Sequence, residues 1–295
     1  VTWGDPDAGA DSREVQPLLR NVEEVYGNCF AFAALLTDGS VITWGHPESG
    51  GDSSGVELKN VQRIVSSTAC FAAQLRDGRV TTWGRMEGKS SEVVQQLRDV
   101  QRIEASGRAF AALLANGSVV TWGDPDFGGD SRSVRQHLTK GVSSLAASDR
   151  AFAAVKTDGS VVTWGHCDCG GDSSEVQGEL QNVTGIQASG GAFAALRLDK
   201  TVITWGHPDC GGDSSAVQGQ LHDVHQIQAA GDAFAAIVKE GKVVTWGDPE
   251  CGGDLHLVPG LCGVQRLESS SAAFAAILAD GSATTWGDPN CGGDC

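Results

Sequence analysis

Eight tryptophans, each followed by glycine, recur along the chain at Trp3, Trp44, Trp83, Trp122, Trp164, Trp205, Trp246 and Trp286. Their spacings are 41, 39, 39, 42, 41, 41 and 40 residues. Seven of the nine phenylalanines hold the same phase: Phe32, Phe71, Phe110, Phe152, Phe193, Phe234 and Phe274. A period near 40 means supersecondary units that cannot bury their apolar surface alone and must lean on neighbours. Nearly all the aromatic content is therefore architectural. Only Tyr26, Phe30 and Phe127 fall outside the pattern.

Residues 172–212 show the parts of one unit. Ser174-Glu175-Val176-Gln177 reads as a short extended piece, followed by a turn at Gly178. Two β runs, 183–188 and 192–196, flank Ser189-Gly190-Gly191. Leu198-Asp199-Lys200 forms the next turn, which is Asp-Gly in several other units, Asp38-Gly39 among them. Asp-Gly between apolar runs is a strong hairpin signal, because both central residues accept positive φ. Thr201 to Trp205 is then a β-branched strand ending in the tryptophan. Four short strands per ~40 residues describe the blade of a β-propeller.

Val176, Leu180, Val183 and Ile186, spaced 4, 3 and 3, also fit a helix and hence a strand–helix solenoid. Gly178 and Gly219, with Pro17 and Pro259, interrupt that stretch in four units and cost a helix about 1 and about 3 kcal/mol respectively. The reading is therefore all-β: a seven-bladed propeller of four-stranded antiparallel blades, one domain over residues 1–295. The blades fall near 11–50, 51–90, 91–129, 130–171, 172–212, 213–253 and 254–295. Residues 1–10 supply an extra N-terminal strand, which either completes the last blade or pairs with another copy. Small residues of the Ala-Phe-Ala-Ala run let inner strands converge, while Phe and Trp fill the widening space between blades. Cys70, replacing an alanine of that run, fits there as a small buried hydrophobe.

The pattern V-x-x-I-x-A-S-x-x-A-F-A-A-L-x-x-D-G-S-V-V-T-W-G-D-P-x-x-G-G-D resembles the repeat of the regulator of chromosome condensation (RCC1-like) family. The likeness covers essentially the whole chain, and 186–206 is a good single example. It implies a seven-bladed propeller. It also implies a range of roles: exchange factor for a small nuclear GTPase, module of a ubiquitin ligase, chromatin reader or ultraviolet photoreceptor. The unit is shorter than the family's, and phenylalanine stands where family members often carry histidine. Near-constant spacing leaves no room for the protruding hairpin of the exchange factors. All the tryptophans are committed to the repeat, which argues against photoreception.

Charge excludes further classes. Of 295 residues, 21 are Lys or Arg and 37 Asp or Glu, for a formal charge of −16. Such a chain is not drawn to nucleic-acid phosphates or anionic lipid. No apolar run nears the ~20 residues that span a bilayer, and no signal-peptide pattern opens the chain. It begins inside a strand motif, so it reads as a piece of a longer protein. An intracellular location, cytoplasmic or nuclear, is expected.

The loop after each Trp-Gly, as in Asp124-Pro125-Asp126-Phe127-Gly128-Gly129-Asp130, is acidic and glycine-rich. Three carboxylates in seven residues suggest calcium, but Asp and Gly also dominate turns for local reasons. His46, His166 and His207 replace the first Asp in three copies, which favours turn chemistry. Cys169, Cys210, Cys251 and Cys291 share one loop position and, with Cys167, form a column suited to zinc, disulfides or free thiols. Nine cysteines, an odd number, favour free thiols. His137, His222, His225 and His256 show no nucleophile–base signature, and no P-loop or dinucleotide fingerprint occurs. No catalytic residue, metal or cofactor is assigned.

One junction breaks the pattern. At Arg85-Met86-Glu87-Gly88-Lys89 the acidic loop is lost, and residues 76–108 carry seven cations against five acids. Arg76, Arg79, Arg85, Lys89 and Arg108 form a candidate partner-binding patch for an acidic segment. The expected function is a non-catalytic protein–protein interaction scaffold, such as a module of a ubiquitin-ligase or regulatory assembly, whose partner is another protein. The alternatives are a guanine-nucleotide exchange factor and a multivalent carbohydrate-binding propeller.

Overall fold

The computed structural model describes residues 2, 4–85, 91–254 and 260–294. The chain divides into two compact units, Val1–Gly141 and Val142–Cys295. The first contains three sheets: β1 (Val22–Gly27), β2 (Ala31–Leu36) and β3 (Val41–Gly45); β4 (Val61–Ser66), β5 (Cys70–Leu75) and β6 (Val80–Gly84); and β7 (Val100–Ala105), β8 (Ala109–Leu114) and β9 (Val119–Gly123). The second contains four: β10 (Val142–Ala147), β11 (Ala151–Lys156) and β12 (Val161–Gly165); β13 (Val183–Ala188), β14 (Ala192–Arg197) and β15 (Val202–Gly206); β16 (Gln226–Ala230), β17 (Ala233–Ile237) and β18 (Val243–Gly247); and β19 (Val264–Ser269), β20 (Ala273–Leu278) and β21 (Ala283–Gly287). Each sheet is an antiparallel meander in chain order.

Local chemistry sets these limits. Asn21, Asn60, Asp99 and Asn182, one residue before a first strand, adopt φ of 54 to 56°. Asn and Asp tolerate this left-handed conformation because their short polar side chains bond locally. At the hairpins, Asp38, Asp158 and Asp280 accept both the backbone N–H and the hydroxyl of the serine two residues on.

The middle strand carries the packing. Successive side chains point to opposite faces. In the first unit Ala31, Ala33 and Leu35 of β2 therefore meet Val61, Ile64, Phe71, Ala73 and Trp83 of the next sheet. Cys70 and Ala72 of β5 face the other way, onto Phe110, Ala112 and Trp122. Ala151, Ala153 and Val155 of β11 meet Phe193, Ala195 and Trp205 by the same rule in the second unit. The expected division of labour, alanines for approach and aromatics for filling, is what the packing uses. Within each sheet the phenylalanine stacks on its cross-strand tryptophan, with ring centroids 5.1 to 5.4 Å apart.

Five tryptophans also reach the preceding repeat. Trp44 Nε1 donates to Gly9 O, Trp83 to Gly50 O, Trp205 to Gly170 O, Trp246 to Gly211 O and Trp286 to Gly252 O, all at 2.9 to 3.0 Å. The first glycine of the loop is needed for this. At Gly170, φ is +88° and an added Cβ would lie 2.5 Å from the Phe193 ring. Trp122 Nε1 is buried without a partner among the described residues.

One expectation needs correction, and another lies partly outside the described residues. Blades have three strands, not four. The segment expected to supply the fourth folds instead into turns and 3-10 helix (Arg132–His137, Gln218–Gln220) or a short α-helix, α1 (Ser91–Gln96). Side chains take over the edge that a fourth strand would pair. Thr163 Oγ1 meets Ser173 Oγ, Ser173 Oγ meets Gln177 Oε1, and Gln177 Nε2 donates to Val161 O. Thr204, Ser214, Gln218 and Val202 repeat the chain of bonds. Backbone groups satisfied in this way have no need of a ladder. The extra N-terminal strand, in turn, falls partly outside the described residues, and Thr2 and Gly4 are not in a strand. Thr2 Oγ1 still pairs with Ser12 Oγ at 2.8 Å, the Thr–Ser link of the later repeats.

Candidate functional site

Every sheet has two unlike ends. One carries the hairpin between its second and third strands, which is Asp-Gly in four of the seven sheets. The other carries the tight turn between its first and second strands beside the glycine-rich loop. Serine locks the loop end: Ser106, Ser148, Ser189 and Ser270 Oγ each donate to the carbonyl of the loop residue 21 positions on. The loop itself is one turn of 3-10 helix. In Pro125–Phe127, Asp124 caps by accepting Asp126 N–H, and Gly128 closes at φ +85°. Turn chemistry accounts for the first acid of these loops.

The candidate basic patch is divided between these ends. Arg76 and Arg79 flank the hairpin of β5 and β6, whereas Arg85 follows β6 and Arg108 precedes β8, at the loop end. A five-residue strand separates the two pairs by roughly 17 Å. Lys89 lies outside the described residues. Local acids also answer some of the cations: Arg79 pairs with Asp77 at 2.8 Å, and Arg102 pairs with Glu104. Arg108 sits 3.9 Å from Asp124, with its guanidinium 5.1 Å above the Phe127 ring. Arg85 and Arg108 do share one pocket of about 240 Å³, with Phe30, His46, Glu48 and Asp124. Phe30 is 45 % exposed and its ring meets His46 edge-on. Arg85 has no ion pair among the described residues.

The second unit holds a cleft of different character, about 940 Å³, along the edge of β15. Asp168, Asp172, Glu175, Glu179 and Asp213 line it, and no lysine or arginine does. Backbone N–H donation from Ser174 and Ser215 holds the Asp172 and Asp213 carboxyls below the usual range, so both are charged at neutral pH. A neighbouring cleft of about 570 Å³ repeats the design one blade on, with Asp209, Asp213 and Asp248. These clefts occupy the groove left where no fourth strand forms. The signal was present in the sequence as Asp172-Ser173-Ser174-Glu175 and Asp213-Ser214-Ser215. Taken as a strand, that segment could not be seen as a cleft wall.

No disulfide joins the described cysteines of the column. Cys70 is buried against Ser67 Oγ, and burial pushes its thiol up. Burial, with the Asp232 carboxylate beside it, pushes the Cys210 thiol up to about 12. Asp149 is raised by burial and by Asp232. No described helix is long and apolar enough to cross a membrane.

No family model and no curated protein matches this sequence. Solved structures do. Prp20p from Saccharomyces cerevisiae, studied with its binding to Gsp1p and histones, is similar at a TM-score of 0.50 and 15 % identity, over 81 % of this chain and 74 % of that one. The same yeast protein, RCC1 (Prp20), bound to Kap60 gives 0.49 and 14 %, over 93 % and 72 %. The CRINKLY WD40 ectodomain of the Arabidopsis thaliana receptor kinase ACR4 gives 0.47 and 17 %, over 87 % and 90 %. At such identities the likeness is one of fold. The chain has the RCC1-like propeller fold, with its seven three-stranded sheets as blades.

Proposed function

We propose that this chain is a non-catalytic protein-binding platform that takes a cationic segment of its partner in the acid-lined clefts of the second unit. The observation that carries the reading is the 940 Å³ cleft, walled by five carboxylates without a compensating cation. A groove lined by one sign of charge concentrates an oppositely charged segment and speeds its encounter. The net charge of −16 adds long-range attraction in the same sense. Two clefts sharing Asp213 would hold successive cations of one extended segment. Prp20p, which shares the fold, is itself a protein binder, with histones among its partners.

The test is a set of fluorescent ten-residue peptides, lysine-rich, glutamate-rich and neutral. Lysine-rich peptides are expected to bind, with affinity falling as salt rises. The triple variant D172K/E175K/D213K is expected to weaken them at least tenfold. The variant R85E/R108E, in the other unit, should leave them unchanged. Preference for the glutamate-rich peptide, lost in R85E/R108E, would overturn the reading in favour of the arginine pocket.

A further inference from the structure

One corresponding pair of positions, compared across the blades, isolates an anomaly. The residue just before the middle strand faces the first residue of the glycine-rich loop. In the blade of β7 to β9 these are Arg108 and Asp124, a cation and an anion 3.9 Å apart. In the blade of β16 to β18 they are Asp232 and Asp248, two carboxylates. Cys251, three residues further round that loop, completes a group whose ligand atoms all lie within 4.8 Å of one another. Neither aspartate pairs with a lysine or arginine among the described residues.

The preceding blade is built to let this group assemble. A Cβ on Gly190 would stand 2.8 Å from Asp232 Oδ1 and 3.5 Å from Asp149 Oδ2, and one on Gly191 would stand 2.7 Å from Cys210 Sγ. Other blades carry Arg108 or Arg150 at the second of these positions, so both glycines clear space that side chains fill elsewhere. The cleared space brings a second thiol, Cys210, against the Asp232 carboxylate. Two aspartates and two cysteines, half-buried, thus converge where the fold elsewhere places a guanidinium.

We infer that Asp232, Asp248 and Cys251 form a binding site for a divalent transition cation of the zinc class, with Cys210 beside Asp232 as a neighbouring thiol. One thiolate with two carboxylates leaves a fourth position for solvent and suits zinc, and thiolate disfavours magnesium and calcium. The Cys251 thiol releases its proton to solvent as its sulfur bonds the metal, and no redox change is involved. The cation supplies the positive charge that Arg108 supplies in its own blade.

Cobalt(II) is the probe, added to chelator-treated protein. The expected result is one equivalent per chain by equilibrium dialysis, with a near-ultraviolet thiolate-to-cobalt charge-transfer band that zinc abolishes. C251S is expected to remove the band. D232R, which reinstates the arginine used in another blade, should remove binding while keeping the melting temperature of the metal-free chain. G190A should weaken binding through the missing space. C167S tests the exposed His166-Cys167-Asp168 group, whose donors also lie within 4.8 Å of each other, and should change nothing. Absence of a thiolate band in the wild-type chain would overturn the assignment, as would undiminished binding in C251S and D232R.

Discussion

At the scale of single residues, two side chains repeat their role from blade to blade. The phenylalanine of the middle strand is fully buried, as at Phe193, and stacked on its tryptophan. Phe193→Ala removes both contacts and leaves a cavity between sheets, so a loss of about 3–5 kcal/mol is expected in denaturant titrations. Gly170→Ala fails for another reason: it forces a left-handed residue and drives a methyl into that same ring. Its melting temperature should fall although it adds apolar surface. The turn aspartates set the acid limit of the fold. Hydrogen bonds from Ser40, Ser160 and Ser282 lower the Asp38, Asp158 and Asp280 carboxyls, and Arg13 holds Asp11 down at about 2. A carboxyl lowered in the folded state contributes stability above its unfolded value near 3.9, and that contribution is lost as pH falls through the folded value. Melting temperature should therefore be flat above pH 5 and drop below about pH 4, when followed by circular dichroism.

At the scale of elements, the strands were readable because two periods coincide. Alternation along Ala-Phe-Ala-Ala gives each middle strand two faces, and Asp-Gly fixes the hairpin that follows. The runs at 183–188, 192–196 and 201–205 all became strands. The fourth segment was not readable, because its bonds are made by side chains of Ser173, Gln177 and their counterparts, which propensity does not register. Helix-like spacing of Val176 and Leu180 was real, but it serves a turn. The site was still less legible. Seven arginines and lysines crowded into 33 residues look like one surface, yet a strand lies between Arg79 and Arg85, and Asp77 had already neutralised the first. Gln177 and Gln218 offer a test at this scale. Replacing both by alanine frees Val161 O and Val202 O at open sheet edges. A loss of about 1 kcal/mol per bond is expected, with concentration-dependent association by size-exclusion chromatography.

At the scale of the whole molecule, a near-identical sheet made seven times leaves individuality to the positions that packing does not use. Those are the residue before the middle strand and the walls of the connecting turns, and the acid clefts, the arginine pocket and the Asp232 group all lie there. Salt is the lever that separates their roles. Attraction between the −16 chain and a lysine-rich peptide should weaken strongly between low and physiological ionic strength, whereas a thiolate-bound cation should hold. The reach of five indoles into the loops before them gives each unit a polarity. Trimming the last repeat, from about residue 264, leaves Trp246 still bonded to Gly211, but uncovers Ala233, Ala235 and Ile237 and removes the bonds of Gln226 to Leu267. Trimming residues 1–10 removes the Gly9 carbonyl and strands the indole of Trp44 inside the core. Hydrogen exchange at the indole N–H should therefore tell the two ends apart: Trp44 is expected to stay protected when the tail is trimmed and to lose protection when the head is.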